Sequence, residues 1–591
     1  MATESPFSSY FSTNQPPSAL DADGIATLIA DRAAAASEIR ARLERLAKEA
    51  QALQGQLDQH NQYIDEHSAI ISSFRRLPDY ILVRIFLANR GHSRFSPIAI
   101  SHVSRKWRKL ALDTPLMWTT IAAYIRETHS TPEENGDRAR LERVSAFIQR
   151  SGALGLSIEV TAEPVKSSLP AERLGAHEDL AAILESTASR WEKLHVNVPS
   201  DSPLMRLLRT PPATTAGLHS LSINFESLFR KPGPDTSETA SLVDPTITVW
   251  EAKSLTYLSL FGVGKSVIET NVSLPVRWPK LTSLHLSSGG HGHLRQHHVT
   301  PILSVCTNLL ECSLTFHDSV ADSESSPEDV ATEATLPSLR ALELGGSEVA
   351  ARGLVSKLTL PSLTRLTTLF TMATDAAPEA ESALAEWIDR YGDQLLDVSF
   401  DYVSLTQSAL AYCLAHLPNV VRLKLTGKAR YATYNPWPRV RNRNRSFCPQ
   451  SALIDDAILA SLTPSLGDDG EPGGKDVCFC PKLRRLECHM GFLERSEKAF
   501  VHLILARYGD GKNEVLQGGV RRIEEVVLSF NYEKGNEGSV NIAGQVNSAV
   551  DAGPLAIRVR YHLPLAEEAA ESVFHHLLFQ RSEKLEQAGK L

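Results

Sequence analysis

Cysteine is scarce, with seven in 591 residues, an odd number. So few thiols cannot frame a chain of this length with disulfides, and the usage reads as a reducing, intracellular setting, cytoplasmic, nuclear or both. No window approaches 18 uninterrupted apolar residues, so no membrane-spanning helix is expected. The opening stretch MATESPFSSYFSTNQPPS lacks the basic and apolar regions of a secretory signal. Neither sign of charge dominates. The 61 Lys and Arg stand against 69 Asp and Glu, and a net charge of -8 over so large a surface argues against a whole-chain binder of nucleic acid or anionic membrane. Nucleophile-elbow, metalloprotease-helix and kinase signatures are missing too. A non-catalytic protein without a cofactor is the expectation.

A hydrophobic content of 42% with 22% charged residues is too apolar for global disorder. The length allows two to four domains at about 150 residues each, or one elongated repeat array with appendages. Residues 1–20 are rich in Ser and Pro with little to bury, and are expected to lack fixed structure. From 21 to 75 the chain turns to Ala, Glu, Arg, Gln and Leu, with no proline until Pro78, which predicts a long helix.

Along that helix Ile39, Leu43, Leu46, Ala50, Leu53, Leu57, Ile64, Ile71 and Phe74 follow the 3.5-residue period of a coiled-coil seam. His60 and His67 occupy two further seam positions, read as tolerated polar residues and not as metal ligands, and Gly55 sits on the outer face. Two readings stay open: a stalk that self-associates or binds a partner through residues 39–74, or one amphipathic helix lying on the rest of the chain.

Residues 76–122 hold three short helical pieces. Pro78 suits a first helical turn, followed by Ile81, Leu82, Ile85 and Phe86 at helical spacing. Pro97 opens a second stretch with Ile100, Val103, Trp107 and Leu110 on one face, and Thr114-Pro115 break the chain before Leu116, Met117 and Trp118. So small a unit buries little apolar surface alone and needs something to pack against.

The ordered set Leu77-Pro78, Ile81-Leu82, Ile85-Phe86, Val103, Trp107-Arg108, Leu110-Ala111 and Pro115-Leu116-Met117-Trp118 resembles an F-box, in the form LPxxILxxIF…VxxxWRxxAxxTPxLW of large fungal families. The resemblance covers under a tenth of the chain. It implies three helices that interlock with the adaptor subunit of an SCF-type cullin-RING ubiquitin ligase while the rest of the chain presents a protein substrate. By position, Leu77, Pro78, Ile81, Leu82, Ile85 and Phe86 would form the leading adaptor-facing edge. Val103, Trp107, Leu110 and Trp118 would supply the remaining interface and the link to the next domain. Ala88 to Ser96 departs from the commonest pattern, being basic and glycine-containing.

From about residue 190, within a region expected to run from 123 to 563, one phrase recurs: an apolar residue, a second three positions later, and a third two beyond that. It occurs at Leu218-Leu221-Ile223, Leu255-Leu258-Leu260, Leu281-Leu284-Leu286, Leu309-Cys312-Leu314 and Leu339-Leu342-Leu344, then at Leu395-Val398-Phe400, Val420-Leu423-Leu425, Leu483-Leu486-Cys488 and Ile523-Val526-Leu528. The last two positions share one face of a short strand. Many copies follow an amphipathic helix candidate, as in VTPILSVCTN and ESALAEWIDRY. Helix, turn and strand at such intervals predict an irregular leucine-rich-repeat-like α/β solenoid, whose open strand face would hold a protein. It is irregular because Glu226, Val263, Gly289, His317, Ser347 and Lys428 stand where regular repeats place asparagine. The fold class expected is therefore α/β: a long N-terminal helix, a three-helix segment, the solenoid, and a closing helix over 564–591.

Three insertions interrupt the array: an acidic, serine-rich stretch at 318–335 open to phosphorylation, a glycine-rich link at 463–475, and a basic loop at 426–447. In the last, Arg439, Arg441, Arg443 and Arg445 alternate near Tyr431, Tyr434 and Trp437. That loop reads as solvated, as a nuclear-import signal, or as a grip on an acidic peptide in preference to single-stranded nucleic acid. Gly262-Val263-Gly264-Lys265-Ser266 imitates a phosphate loop but lacks the first glycine and a following helix. Neither the histidines at 291, 293, 297 and 298 nor Cys448, Cys478, Cys480, Cys488 and His489 have metal-ligand spacing. Three functions follow: a ubiquitin-ligase substrate adaptor, a coiled-coil and repeat scaffold without a ubiquitin role, and a nucleic-acid binder working through the arginine loop.

Overall fold

A computed structural model describes residues 5–12, 16–71, 73–89, 96–125, 134–162, 171–198, 202–224, 247–262, 275–287, 294, 296–316, 333–371, 382–427, 452–464, 478–490, 497–509, 513–516, 519–530, 541–550 and 555–561. The arginine loop with Arg439, Arg441, Arg443 and Arg445, most of the acidic and glycine-rich insertions and the closing helix at 564–591 lie outside the described residues; at the end of the acidic one, Ala334–Thr335 form a short strand paired with Leu358–Thr359 where a solvated loop was expected. The chain divides into two compact units, Met1–Asp113 and Thr114–Leu591.

In the first unit, α1 runs from Ala19 to Ile71, 53 residues of good helix formers. Residues 8–12, expected to lack structure, form a 3-10 turn in which the Tyr10 hydroxyl donates to Asp21 at 2.8 Å. Ser18 precedes the helix, its hydroxyl accepting from the Asp21 amide. Every described residue from 37 to 71 is exposed, so among the described residues nothing covers the seam.

Three short helices follow: α2 (Asp79–Asn89), α3 (Ser96–Ser101) and α4 (Arg105–Leu112). The Pro78 carbonyl accepts the amides of Ile81 and Leu82 at the start of α2. Ser104, in extended geometry, caps α4 by accepting from the Trp107 amide at 3.2 Å.

The second unit is built on one 14-stranded parallel sheet in which strands lie side by side in chain order. They are β1 (Thr120–Ile125), β2 (Leu156–Ala162), β3 (Trp191–Asn197), β4 (Ser220–Asn224), β5 (Tyr257–Phe261), β6 (Ser283–Ser287) and β7 (Glu311–Phe316). The series continues with β8 (Ala341–Ser347), β9 (Arg365–Thr371), β10 (Asp397–Asp401), β11 (Arg422–Thr426), β12 (Arg485–Met490), β13 (Glu525–Phe530) and β14 (Ala556–Tyr561). A sequential parallel order requires each connection to cross over and return, which is the arrangement of a solenoid-like α/β fold.

The repeated phrase sets the register. Its middle residue forms one column across the sheet, from Leu221 through Leu258, Leu284, Cys312 and Leu342 to Val398, Leu423, Leu486 and Val526. All nine phrases are buried at every position. The first residue of the phrase closes a turn: the amides of Leu218, Leu255, Leu281, Leu309, Leu339, Leu395 and Leu483 each bond to the carbonyl three residues back. The leading apolar residue thus seals the corner before the strand begins.

The column is longer than nine. It takes in Ile121, Ile158 and Leu194 at one end, Leu366 within, and Ile557 at the other. The boundary expected near residue 122 therefore moves back to Thr114, because β1 is already part of the sheet. Connections are uneven: α-helices such as α5 (Glu134–Arg150), α6 (Ala383–Tyr391), α7 (Gln407–Ala415), α8 (Asp456–Leu462) and α9 (Glu497–Tyr508) occur in some repeats. Others use 3-10 turns, as at Pro203–Arg209, Val249–Glu251 and Trp278–Lys280. In β8, Gly346 has φ +83, and a Cβ there would collide with the Phe316 carbonyl. Only glycine fits that crossing.

Candidate protein-interaction surfaces

On α2, Leu82 and Phe86 are spaced four apart and point inward, 0% and 1% exposed, and the Phe86 ring meets Trp107 with centroids 4.8 Å apart. Ile100 and Ala111 are buried as well. Lys106 ties the segment at its start, with Nζ 2.7 Å from Asp79 and donating to the Leu77 carbonyl. The apolar residues left over face solvent. Pro78, Tyr80, Ile85 and Val103 are exposed, and Leu77, Ile81, Trp107 and Leu110 are half-buried.

This divides the expected adaptor-facing set. Ile81 and Ile85 lie about 100° around the helix from Leu82 and Phe86, so both pairs cannot face one partner. Leu82 and Phe86 are corrected to interior positions. Of the two roles expected of its group, Trp118 takes the link: it lies in the second unit, 1% exposed, with the Phe147 ring edge-on at 4.9 Å and the Arg150 guanidinium 4.5 Å from its ring centre. It occupies the leading position of a phrase, Trp118-Ile121-Ala123, and so links into the repeats and is not part of a contact surface.

The second surface is the open face of the sheet, where residues between the buried columns line a continuous groove of about 1530 Å³. Its chemistry changes along its length. From β2 to β7 hydroxyls and rings predominate, beside Glu159 and Lys193: His195 Nδ1 lies 2.8 Å from the Ser222 hydroxyl, and Tyr257 stands against His285 with centroids 5.1 Å apart. Burial lowers the His285 pKa, against the opposing pull of Glu311, which favours the uncharged ring.

From β9 onward the face is charged. The register sets Arg365, Asp397, Arg422, Arg485 and Glu525 in one row across five strands. Arg365 and Arg422 both reach Asp397, at 3.3 and 2.6 Å, and Arg485 and Arg558 both reach Glu525, at 3.4 and 3.5 Å. Beside them Glu487 bonds to Lys424 at 2.6 Å and to His489 at 2.7 Å. Burial would raise the Glu487 pKa, but those two partners outweigh it and hold the carboxyl below the usual carboxylate range. Half-exposed pairs of this kind contribute about 0–1 kcal/mol each to stability. Their chemical use is recognition, since guanidinium and carboxylate groups can exchange partners with a polar ligand.

The charged row was missed in sequence although a signal existed: all five residues immediately precede the middle apolar residue of their repeat. Among the described residues, no group of three or more His, Cys, Asp or Glu could hold a metal ion. Cys488 sits in the strand core as expected, and burial pushes the thiols of Cys306, Cys413 and Cys480 up to about 12, so they pack as apolar groups. No helix among the described residues is long and apolar enough to cross a membrane. No protein-family model matches this chain, and no curated protein matches it.

Proposed function

We propose that the chain is the substrate-recognition subunit of an SCF-type ubiquitin ligase, its three-helix segment docking on the ligase's adaptor subunit and its leucine-rich-repeat-like sheet holding a protein substrate. The observation that carries this reading is the apolar edge of Pro78 and Ile85, two turns apart on one side of α2, flanked by the half-buried Leu77 and Ile81. It is exposed on helices whose own interior is already filled by Leu82 and Phe86. An apolar patch of this kind on a soluble chain marks a contact with another protein. The polar groove then presents the second partner, and no nucleophile is needed here. Holding a substrate near the ligase's catalytic subunits raises its effective concentration for ubiquitin transfer.

The test is co-purification of the full chain with the adaptor subunit. Stoichiometric capture is expected, with loss on changing Leu77 and Pro78 to Ala or Ile85 to Asp. A correctly folded chain that captures no adaptor at micromolar concentration would leave the scaffold reading in its place.

A further inference from the structure

From Ser37 to Ile71, α1 is about 50 Å of helix at 1.5 Å per residue, with nothing packed upon it among the described residues. Ile39, Leu43, Leu46, Leu53, Leu57 and Ile64 on its seam are 51 to 60% exposed. Long helices in water owe most of their stability to a packed apolar face. We propose that this face is covered by α1 of a second copy of the chain, running antiparallel, with the two-fold axis passing between Gln51 and Ala52. The inference stands independently of the adaptor reading.

The period identifies the kind of occupant. A 3.5-residue repeat keeps to one face only when the helix winds around another helix with the same repeat, whereas a groove in a globular protein accepts a 3.6-residue stripe. The side chains identify which helix. In the antiparallel alignment Ala50 meets Leu53 of the second copy, Leu43 meets its His60, and Ala36 meets its His67, so small or polar residues always face a different one. Ile39 meets Ile64 and Leu46 meets Leu57, which keeps the strongest apolar layers paired. A parallel alignment sets each residue on itself: Ala50 against Ala50 leaves a gap, and both histidines meet their own kind.

The flanks agree. Arg42 falls beside Tyr63 of the second copy, placing a cation near a ring that already stacks on His67 at 3.8 Å. Glu49 falls beside Gln56 and Arg40 beside Asn61, so no like charges meet. Six Leu or Ile side chains per helix, at roughly 60–100 Å² each, hide about 1,000 Å² in the pair. With the flanking stems this reaches the lower end of a stable interface.

Sedimentation equilibrium of the full chain at micromolar concentration is expected to give twice the chain mass, and the double variant Leu46→Arg, Leu57→Arg a single chain mass. Orientation is read separately by mixing chains carrying Ala50→Cys with chains carrying Leu53→Cys under mild oxidation. The mixed Ala50→Cys to Leu53→Cys disulfide is expected to form in several-fold excess over Ala50→Cys to itself. A monomeric natural chain, a dimer unaffected by the two arginines, or a dominant Ala50→Cys homodisulfide would each overturn the proposal.

Discussion

Trp118 and Phe147 meet edge to face, ring centroids 4.9 Å apart and planes at 79°, at the start of the parallel sheet. Trp118 is the last residue of the pattern that resembles an F-box and also the first core residue of the repeats, since Ile121 and Ala123 follow it at the phrase spacing and are buried. Its main task is to close one end of the sheet. Trp118→Ala should cost about 3–5 kcal/mol of stability, and Trp118→Phe clearly less, because the ring contact survives. Denaturant unfolding of the full chain, followed by circular dichroism, measures both. A Trp118→Ala protein as stable as the natural one would refute this role.

Leu82 and Ile85 stand on the same helix with opposite duties. Leu82 is 0% exposed and Ile85 43%. Leu82→Ala should destabilise the segment by about 2–5 kcal/mol through lost packing and a cavity. Ile85→Asp should change stability by no more than about 0.5 kcal/mol while removing capture of a protein partner. Thermal melts beside a pull-down distinguish the two, and equal effects of both changes on melting would contradict the assignment of faces.

The sheet was legible where its corner and core residues are aliphatic, and all nine phrases read from the chain became strands in the expected frame. Strands were missed for physical reasons. In β3 the leading corner residue is Trp191, which does the work of leucine ahead of Leu194 and Val196. In β9 the third position is Thr368, 2% exposed, a hydroxyl in a slot that a hydrophobic pattern does not count. In β2, Gly155 stands at the corner and the pairing with β3 shifts register at Leu156. The segment was legible as helical, but the stretch expected to run from Pro97 through Leu110 breaks before Ser104 into α3 and α4, which separates the buried Ile100 from the exposed Val103; the inward and outward faces of α2 were not legible, because Ile81, Leu82, Ile85 and Phe86 are all bulky and apolar. Burial alone separates them.

Arg507 lies in α9 at 0% exposure and has no carboxylate partner among the described residues. Its guanidinium donates to the carbonyls of Leu462 (2.6 Å), Phe479 (2.7 Å) and Cys480 (3.2 Å) and to the Cys478 sulfur (3.1 Å). Leu462 ends α8, so the charge meets the negative end of a helix dipole while pinning the turn that leads into β12. A lysine has three donors on one atom and cannot span these acceptors. Arg507→Lys should therefore cost about 3 kcal/mol, seen as a lower denaturation midpoint and faster amide exchange in β12. Unchanged exchange there would show that the turn holds without it.

Asp401 closes β10 with its carboxylate buried, 3% exposed, and accepting the Val403 amide at 3.2 Å. Burial pushes the carboxyl up to about 7, with the Val403 bond pulling the other way. The unfolded chain releases this proton near pH 3.9, so between about pH 4 and 7 the folded state binds the extra proton. Stability from this group is full below pH 4 and declines as the pH rises through 7, where the fold must hold a buried charge. Asp401→Asn removes that dependence and keeps an oxygen to accept from Val403. The variant should match the natural chain near pH 4 and exceed it at pH 8, by up to about 4 kcal/mol for a shift of some three units. Urea unfolding at the two pH values gives the difference directly, and a gap that stays constant with pH would mean that Asp401 is ionised throughout.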